Sequence, residues 1–198
     1  MKKILHVDCS PRSASHSRRL SAAIVARMRA KHPDAIVVRR DLGMEPLPHA
    51  EPGYATALSS PGAMAAGLAN GAMRLSEQLI QEVEAADILV IGTPMNNFTV
   101  PSVLKAWIDQ ILRIGRTFSS SRTGKAGLLR DRPVFIGIAS GGVFTGEGAN
   151  QPDFLTPYLR AALGCIGLTS LHFLPLQATA FLDDERLAAA RETLLAAI

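Results

Sequence analysis

The chain is poor in cysteine, with only Cys9 and Cys165 among 198 residues. Two thiols cannot make a disulfide scaffold, and such sparing use fits a reducing compartment. Aromatic residues supply 5% of the chain, and no basic run is interleaved with them. A nucleic-acid surface lacks its usual footprint, even though the formal net charge is +4. Long apolar runs are also missing. The opening Ile4-Leu5-His6-Val7 stops at Asp8, short of the about 7–15 apolar residues at the heart of a secretory signal. The same Asp8 argues against Cys9 as a lipidated cysteine. No run approaches the roughly 20 apolar residues of a membrane-spanning helix. These absences predict a soluble, cytoplasmic protein with no nucleic-acid and no membrane partner.

Several chemical signatures are absent as well. None of the five histidines pairs with another His, Cys or carboxylate at metal-ligand spacing, so no metal is expected. No Ser-His-Asp arrangement can be argued from spacing. Neither G-x-x-x-x-G-K-[ST] nor G-x-G-x-x-G occurs, which removes the two common glycine-rich phosphate loops. The Cys-x5-Arg of the small tyrosine phosphatases fails too, because Ser15 stands where its arginine would be. Cys9 then reads as a small, inert packing residue.

What is present is alternation. Short apolar runs at Lys3–Val7, Ala35–Arg40, Ile88–Gly92, Val134–Ala139 and Leu171–Leu176 read as strands. Between and after them, apolar residues recur at helical spacing: Leu20, Ile24 and Met28; Leu75, Leu79, Ile80 and Val83; Val103 to Leu112; Phe154 to Leu163; and Leu187 to Leu195. Continuous apolar strands are buried on both faces, and alternation with helices supplies the crossovers that parallel strands need. The expected fold is α/β, a doubly wound five-stranded parallel sheet in one domain spanning residues 1–198. The length allows a sizeable core, since a domain near this size buries about 70% of its unfolded surface. Leu42–Ala72, with four prolines and several glycines, reads as a surface excursion. In such folds ligands sit beyond the carboxyl ends of the strands, so the residues after each strand come first.

The first such loop is Asp8-Cys9-Ser10-Pro11-Arg12-Ser13-Ala14-Ser15-His16-Ser17-Arg18. It enters a helix, whose unpaired N–H groups and positive dipole end suit a phosphate. Its serine hydroxyls add donors, and Arg12 and Arg18 would add long-range attraction. Taken alone it reads first as an ordinary loop with Ser15 or Ser17 as N-cap; its place after the first strand reverses that and favours a monophosphate. The third strand runs into Gly92-Thr93-Pro94-Met95-Asn96-Asn97-Phe98-Thr99-Val100-Pro101. Prolines stiffen it, and it mixes apolar Met95 and Phe98 with polar Asn96 and Asn97. That suits a flat ring with a polar edge, or else a connector with Phe98 in the core. After the fourth strand, Ala139-Ser140-Gly141-Gly142 lets backbone approach a ligand or simply turns. Asp183-Asp184-Glu185 reads as the N-terminal cap of the last helix.

Together the three loops, with "GTPMNNFTVPSVLKAWIDQILRIGRTF" over Gly92–Phe118 and "TPYLRAALGCIGLTSLHFL" over Thr156–Leu174, resemble the FMN-dependent NADH-azoreductases, also described as quinone reductases. The likeness runs nearly end to end. It implies a flavodoxin-like fold, FMN as cofactor, NADH or NADPH as electron donor, a quinone or azo acceptor, and a homodimer with FMN at the subunit interface. By position, it implies that Ser10, Ser15, His16 and Ser17 surround the phosphate. Pro94, Met95, Asn96, Asn97 and Phe98 would line the flavin ring, and Ala139, Ser140, Gly141 and Gly142 its pyrimidine side. Two departures stand out: Asn96 where the family commonly has tyrosine, and Ser140 where it commonly has arginine. The wide apolar arc of the Trp107 helix fits a dimer seam or a deeply buried helix. A flavodoxin-type electron carrier is the alternative, although such carriers are strongly acidic.

Overall fold

The computed structural model describes residues 1–198. Its main sheet has the order β2-β1-β3-β6-β7, formed by Lys3–Asp8 (β1), Ile36–Asp41 (β2), Ile88–Pro94 (β3), Val134–Ala139 (β6) and Leu171–Leu176 (β7), all parallel. These five are the strands the apolar runs predict. A second, two-stranded antiparallel sheet joins Phe118–Ser121 (β4) to Gly124–Gly127 (β5). That hairpin has no apolar alternation, and periodicity does not reveal it.

The side chains explain the layering. Along β3, Ile88 and Val90 point to one face while Leu89 and Ile91 point to the other, and both sets are buried. The first set meets His16–Lys31 (α1) and Asp184–Ala196 (α7) through Leu20, Ile24, Met28, Leu187 and Leu195. The second meets Arg74–Ala85 (α4), Ser102–Ile111 (α5) and Leu155–Cys165 (α6) through Leu79, Val83, Leu104, Trp107, Leu159 and Leu163. The edges differ from the centre. β2 leaves Ile36 and Val38 exposed, and Pro175 sits in β7, where an edge strand tolerates its missing donor.

Helix ends follow local chemistry. Ser15 caps α1, its Oγ accepting from Arg18 N–H at 3.3 Å. Asp183 caps α7 in the same way, from Arg186 N–H at 2.8 Å, as its acidic cluster predicts. Arg132 closes α4, donating through Nη1 to the carbonyls of Val83, Glu84 and Ala86 at 2.5–2.9 Å.

The Leu42–Ala72 excursion is more ordered than its composition suggests. Pro52 and Pro61 open two short helices, Pro52–Ala57 (α2) and Pro61–Ala69 (α3), because proline is preorganised for a first helical turn. Tyr54, Ala57 and Met73 form a small apolar cluster, and Tyr54 Oη donates to the Asp109 carbonyl at 2.8 Å. Ser76 Oγ donates to the Gln110 carbonyl at 2.7 Å. Residues of α2 and α4 thus bond to the C-terminal end of α5. Trp107 on its inner face is fully enclosed, while Lys105 and Asp109 on the same helix face solvent. No helix is long and apolar enough to cross a membrane.

Candidate functional site

Sheet order reverses between β1 and β3, and the loops following β1, β3, β6 and β7 meet above that switch point. They enclose a cleft of about 330 Å³. Its wall brings together Ser15, His16 and Ser17 from the first loop, Pro94, Met95 and Asn96 from the second, and Ala139 and Gly141 from the third. Arg12, Thr179 and Ala180 complete it.

The first loop presents donors. Ser15 and Ser17 are buried, with their hydroxyl oxygens 2.8 Å apart. Ser15 accepts the Arg18 N–H, whereas the N–H groups of His16 and Ser17 reach no protein acceptor. The first turn of α1 holds no acidic residue. Two free N–H groups at a positive helix end, flanked by two hydroxyls, form an anion seat. Burial, with the charges of Arg19 and Arg12, holds the His16 imidazole below its ordinary pKa, which favours a neutral ring. Ser10 lies buried beneath the wall, its Oγ accepting from Arg12 N–H at 3.3 Å.

Arg18 does not face the cleft. It turns inward against Ser10, Asp41 and Asp8, which corrects its expected part in long-range attraction. Cys9 is buried in the main core, and burial pushes its thiol up, with Asp8 adding to the effect. Its burial fits the packing role expected of it.

The second loop is a tight turn. Asn96 and Thr99 exchange two backbone hydrogen bonds at 3.0 Å, and between them Asn97 and Phe98 have φ of 47° and 69°. Two left-handed central residues define a type I′ turn. Asparagine tolerates that backbone, whereas a bulky phenylalanine is strained there by about 1–3 kcal/mol. The Phe98 carbonyl accepts from Phe154 N–H at 3.0 Å. Phe98 is 44% exposed and Phe154 59%, so Phe98 is not a core residue of this chain. Asn97 and Phe98 stand beyond the wall that Met95 and Asn96 form.

The third loop is tied to its neighbours. Ala139 O accepts from Met95 N–H at 2.9 Å, which joins the second and third loops. Ser140 Oγ accepts from Gln151 Nε2 at 2.8 Å. A Cβ on Gly142 would lie 2.6 Å from Gln151 Oε1, while Gly141 meets only Ala180 Cβ at 3.6 Å. Beside Gly142 a side chain would displace only the amide ends of Gln151 and Asn150, and Gly141 leaves open the approach to the cleft. Ser140 O in turn accepts from Thr179 N–H and Oγ at 3.0 and 3.1 Å, which draws Thr179 and Ala180 to the wall. They follow the last strand of the sheet, and the rule about strand carboxyl ends points to them as much as to the other loops.

A family model described as having a flavodoxin-like fold matches residues 2–198. The chain belongs to the flavodoxin-like family. Within it, the chain is 48% identical over 185 residues to FMN-dependent NADH:quinone oxidoreductase 4 of Pseudomonas fluorescens, covering 93% of this chain and 88% of that one. It is 46% identical over 192 residues to FMN-dependent NADH:quinone oxidoreductase 5 of Burkholderia lata, covering 96% and 92%. The crystal structure of an azoreductase from Bacillus anthracis superposes with a TM-score of 0.85 at 26% identity, covering 100% of this chain and 98% of that one. These likenesses place the flavodoxin-like chain among redox proteins of matching length.

Proposed function

We propose that this chain is an FMN-dependent NAD(P)H oxidoreductase that reduces quinones and azo compounds by two electrons. One observation carries the reading: the free N–H groups of His16 and Ser17 share a single cleft with the rigid Pro94-Met95-Asn96 wall. The names of the relatives support it.

The residues present fit FMN. The His16 and Ser17 N–H groups, the Ser15 and Ser17 hydroxyls and Arg12 would hold the phosphate, with Ser10 bracing them from beneath. Pro94, Met95 and Asn96 would lie against the ring, presented by the Asn97-Phe98 turn. Ala139, Ser140, Gly141 and Gly142 would bound its pyrimidine side. When bound, FMN supplies the redox chemistry, accepting hydride from NADH or NADPH and passing two electrons to the acceptor. The protein's part is to orient the ring and keep one face open. Sharing that one open face, donor and acceptor would take turns, so a ping-pong order is expected. No side chain is assigned an obligatory proton transfer.

The protein is further proposed to act as one cytoplasmic domain in a homodimer. Exposed Phe98 and Phe154, linked to each other beside the cleft, are the apolar surface that a second copy would cover.

The test is one spectroscopic cycle. The protein purified with FMN should bleach on anaerobic addition of NADH and regain its colour with a quinone. Initial rates should give parallel double-reciprocal lines. Failure to take up FMN at micromolar concentration would overturn the proposal. Flavin that binds but stays oxidised with NADH or NADPH would make the chain an electron carrier instead. Intersecting lines would remove the ping-pong order.

A further inference from the structure

Behind the first loop lies a buried charged cluster that direct cofactor contact leaves unused. Asp8 ends β1 and is 1% exposed; Arg18 lies in the first turn of α1 and is 8% exposed. The Arg18 Nε and Nη2 atoms both donate to the Ser10 carbonyl oxygen, at 2.8 and 2.6 Å. Its Nη1 and Nη2 donate to the two carboxylate oxygens of Asp41, at 2.8 and 2.5 Å. Nη1 also lies 3.5 Å from Asp8 Oδ2. Arg39 Nη2 reaches Asp8 at 3.1 Å and Asp41 at 3.2 Å. Within this cluster the two arginine charges offset the two carboxylates. Arg18 therefore brings the loop little net attraction for an anion, and its effect is one of shape.

That shape matters because of the peptide Arg18 grips. The Ser10–Pro11 peptide has a carbonyl and no N–H, since residue 11 is proline. Turned toward the cleft, it would present only a negative dipole to an anion. Arg18, which grips the carbonyl, is absent from the cleft wall and instead lines a separate depression with His6, Asp8, Arg39 and Asp41. A planar fork anchored bidentately on Asp41 fixes the direction of that carbonyl as a point charge would not. Gly43 supports the same arrangement independently. Its N–H donates to the Asp8 carbonyl at 3.1 Å, and a Cβ there would lie 2.1 Å from Ser10 O. Backbone is thus packed directly behind the carbonyl that Arg18 holds.

We propose that Arg18, backed by Asp41 and Gly43, is a positioning residue that makes the first loop selective for a phosphate-bearing flavin by holding the Ser10 carbonyl away from the anion. The inference rests on the FMN reading and deepens it. It assigns Arg18 no contact with the ligand.

The experiment compares dissociation constants for FMN and riboflavin, read from quenching of flavin fluorescence. The wild type should prefer FMN by at least about a hundredfold, since hydrogen bonds to a charged group are worth about 1.5–3 kcal/mol each. In Arg18→Met the preference should shrink about tenfold or more, the loss of one such bond, while riboflavin affinity stays within about threefold. Arg18→Lys keeps the charge but not the fork, and should resemble Arg18→Met. Gly43→Ala leaves the charges in place but wedges Ser10, and should shrink the preference in the same direction. An unchanged FMN preference in folded Arg18→Met or Gly43→Ala, or full recovery in Arg18→Lys, would overturn the inference while leaving the FMN reading intact. A wild type that binds both flavins equally would instead overturn the phosphate seat itself, and the inference with it. Should the variants not fold, the wild type still decides. The Arg18 Nε–H resonance should remain protected from solvent exchange with and without FMN, and its release on binding would overturn the proposal.

Discussion

Two loops flank the same cleft and are held in opposite ways. The first loop is braced by charge: Arg18 bridges Ser10 O and Asp41 beneath it, and every φ from residue 8 to 18 is negative. The second loop has no ionic support. Its shape rests on two reciprocal backbone bonds and on Asn97 and Phe98 in left-handed conformations. The first arrangement suits a ligand part recognised by charge, where a misdirected carbonyl would be repulsive. The second suits a part recognised by shape, where a stiff wall matters more than field. Strain is tolerated where rigidity is wanted, and a buried ion network where donors must point one way.

The comparison can be broken most forcefully at His16. Glutamate there suits the helix dipole, so the fold should keep its melting temperature. It also places a negative charge beside the proposed phosphate, and like charges cost several kcal/mol. FMN affinity should fall about a hundredfold or more, with riboflavin little changed. Equal losses for both flavins would show that the first loop does not read charge. A smaller effect is expected at Asn96. Asn96→Tyr adds an aromatic face worth about 0.5–1.5 kcal/mol, and should tighten FMN and riboflavin alike by about three- to tenfold. Tightening confined to FMN would contradict a ring contact there.

Phe98→Gly sharpens the contrast from the side of strain. Glycine accepts positive φ, and relief of about 1–3 kcal/mol is partly offset by glycine's extra chain entropy. A net gain of about 1 kcal/mol in urea unfolding is expected, together with weaker flavin binding. No gain would mean that the turn is not strained.

The smallest effect concerns acid. Burial pushes the Asp8 carboxyl up, yet its bonds to His6 and Ser21 and the Arg18 charge outweigh it and hold the carboxyl low. The bond to Arg18 also holds Asp41 low. Glu77 is brought down to about 2, first by Arg116 and then by Arg113, against some burial. Carboxylates depressed on folding stabilise the native state above their ordinary values, and that share is lost as pH falls through the folded ones. Stability should therefore decline between about pH 4.5 and pH 2. Glu77→Gln should flatten part of that decline and lower stability at neutral pH by less than about 1 kcal/mol, since Glu77 is partly solvated. An acid profile identical to that of the wild type would contradict the ion-pair assignment.

Much of the fold is legible in the sequence because its signals are long and apolar. Residues 88–92 are fully buried between two helical layers, so they read as a central strand without further help. β4 and β5 carry Ser119 to Lys125 into solvent, and a polar hairpin leaves no periodicity to detect. Pro52 and Pro61 read as breaks, yet each begins a helix. At the cleft, the loops after β1, β3 and β6 announce themselves through serine, proline and glycine. Thr179 and Ala180 do not, since their place follows from backbone bonds to Ser140 and Gly141. Arg18 misleads because its spacing from the other loop residues is uninformative. Its partner Asp41 is distant in sequence; pairing of β1 with β2 sets Asp41 beside Asp8, where Arg18 from α1 reaches it.

The most direct measurement is an amide spectrum of the protein titrated in parallel with FMN and with riboflavin. The His16 and Ser17 N–H resonances should shift strongly with FMN and hardly with riboflavin, while Met95 and Asn96 respond to both. Shifts at Met95 and Asn96 without any at His16 and Ser17 would contradict the placement of the phosphate at the start of α1.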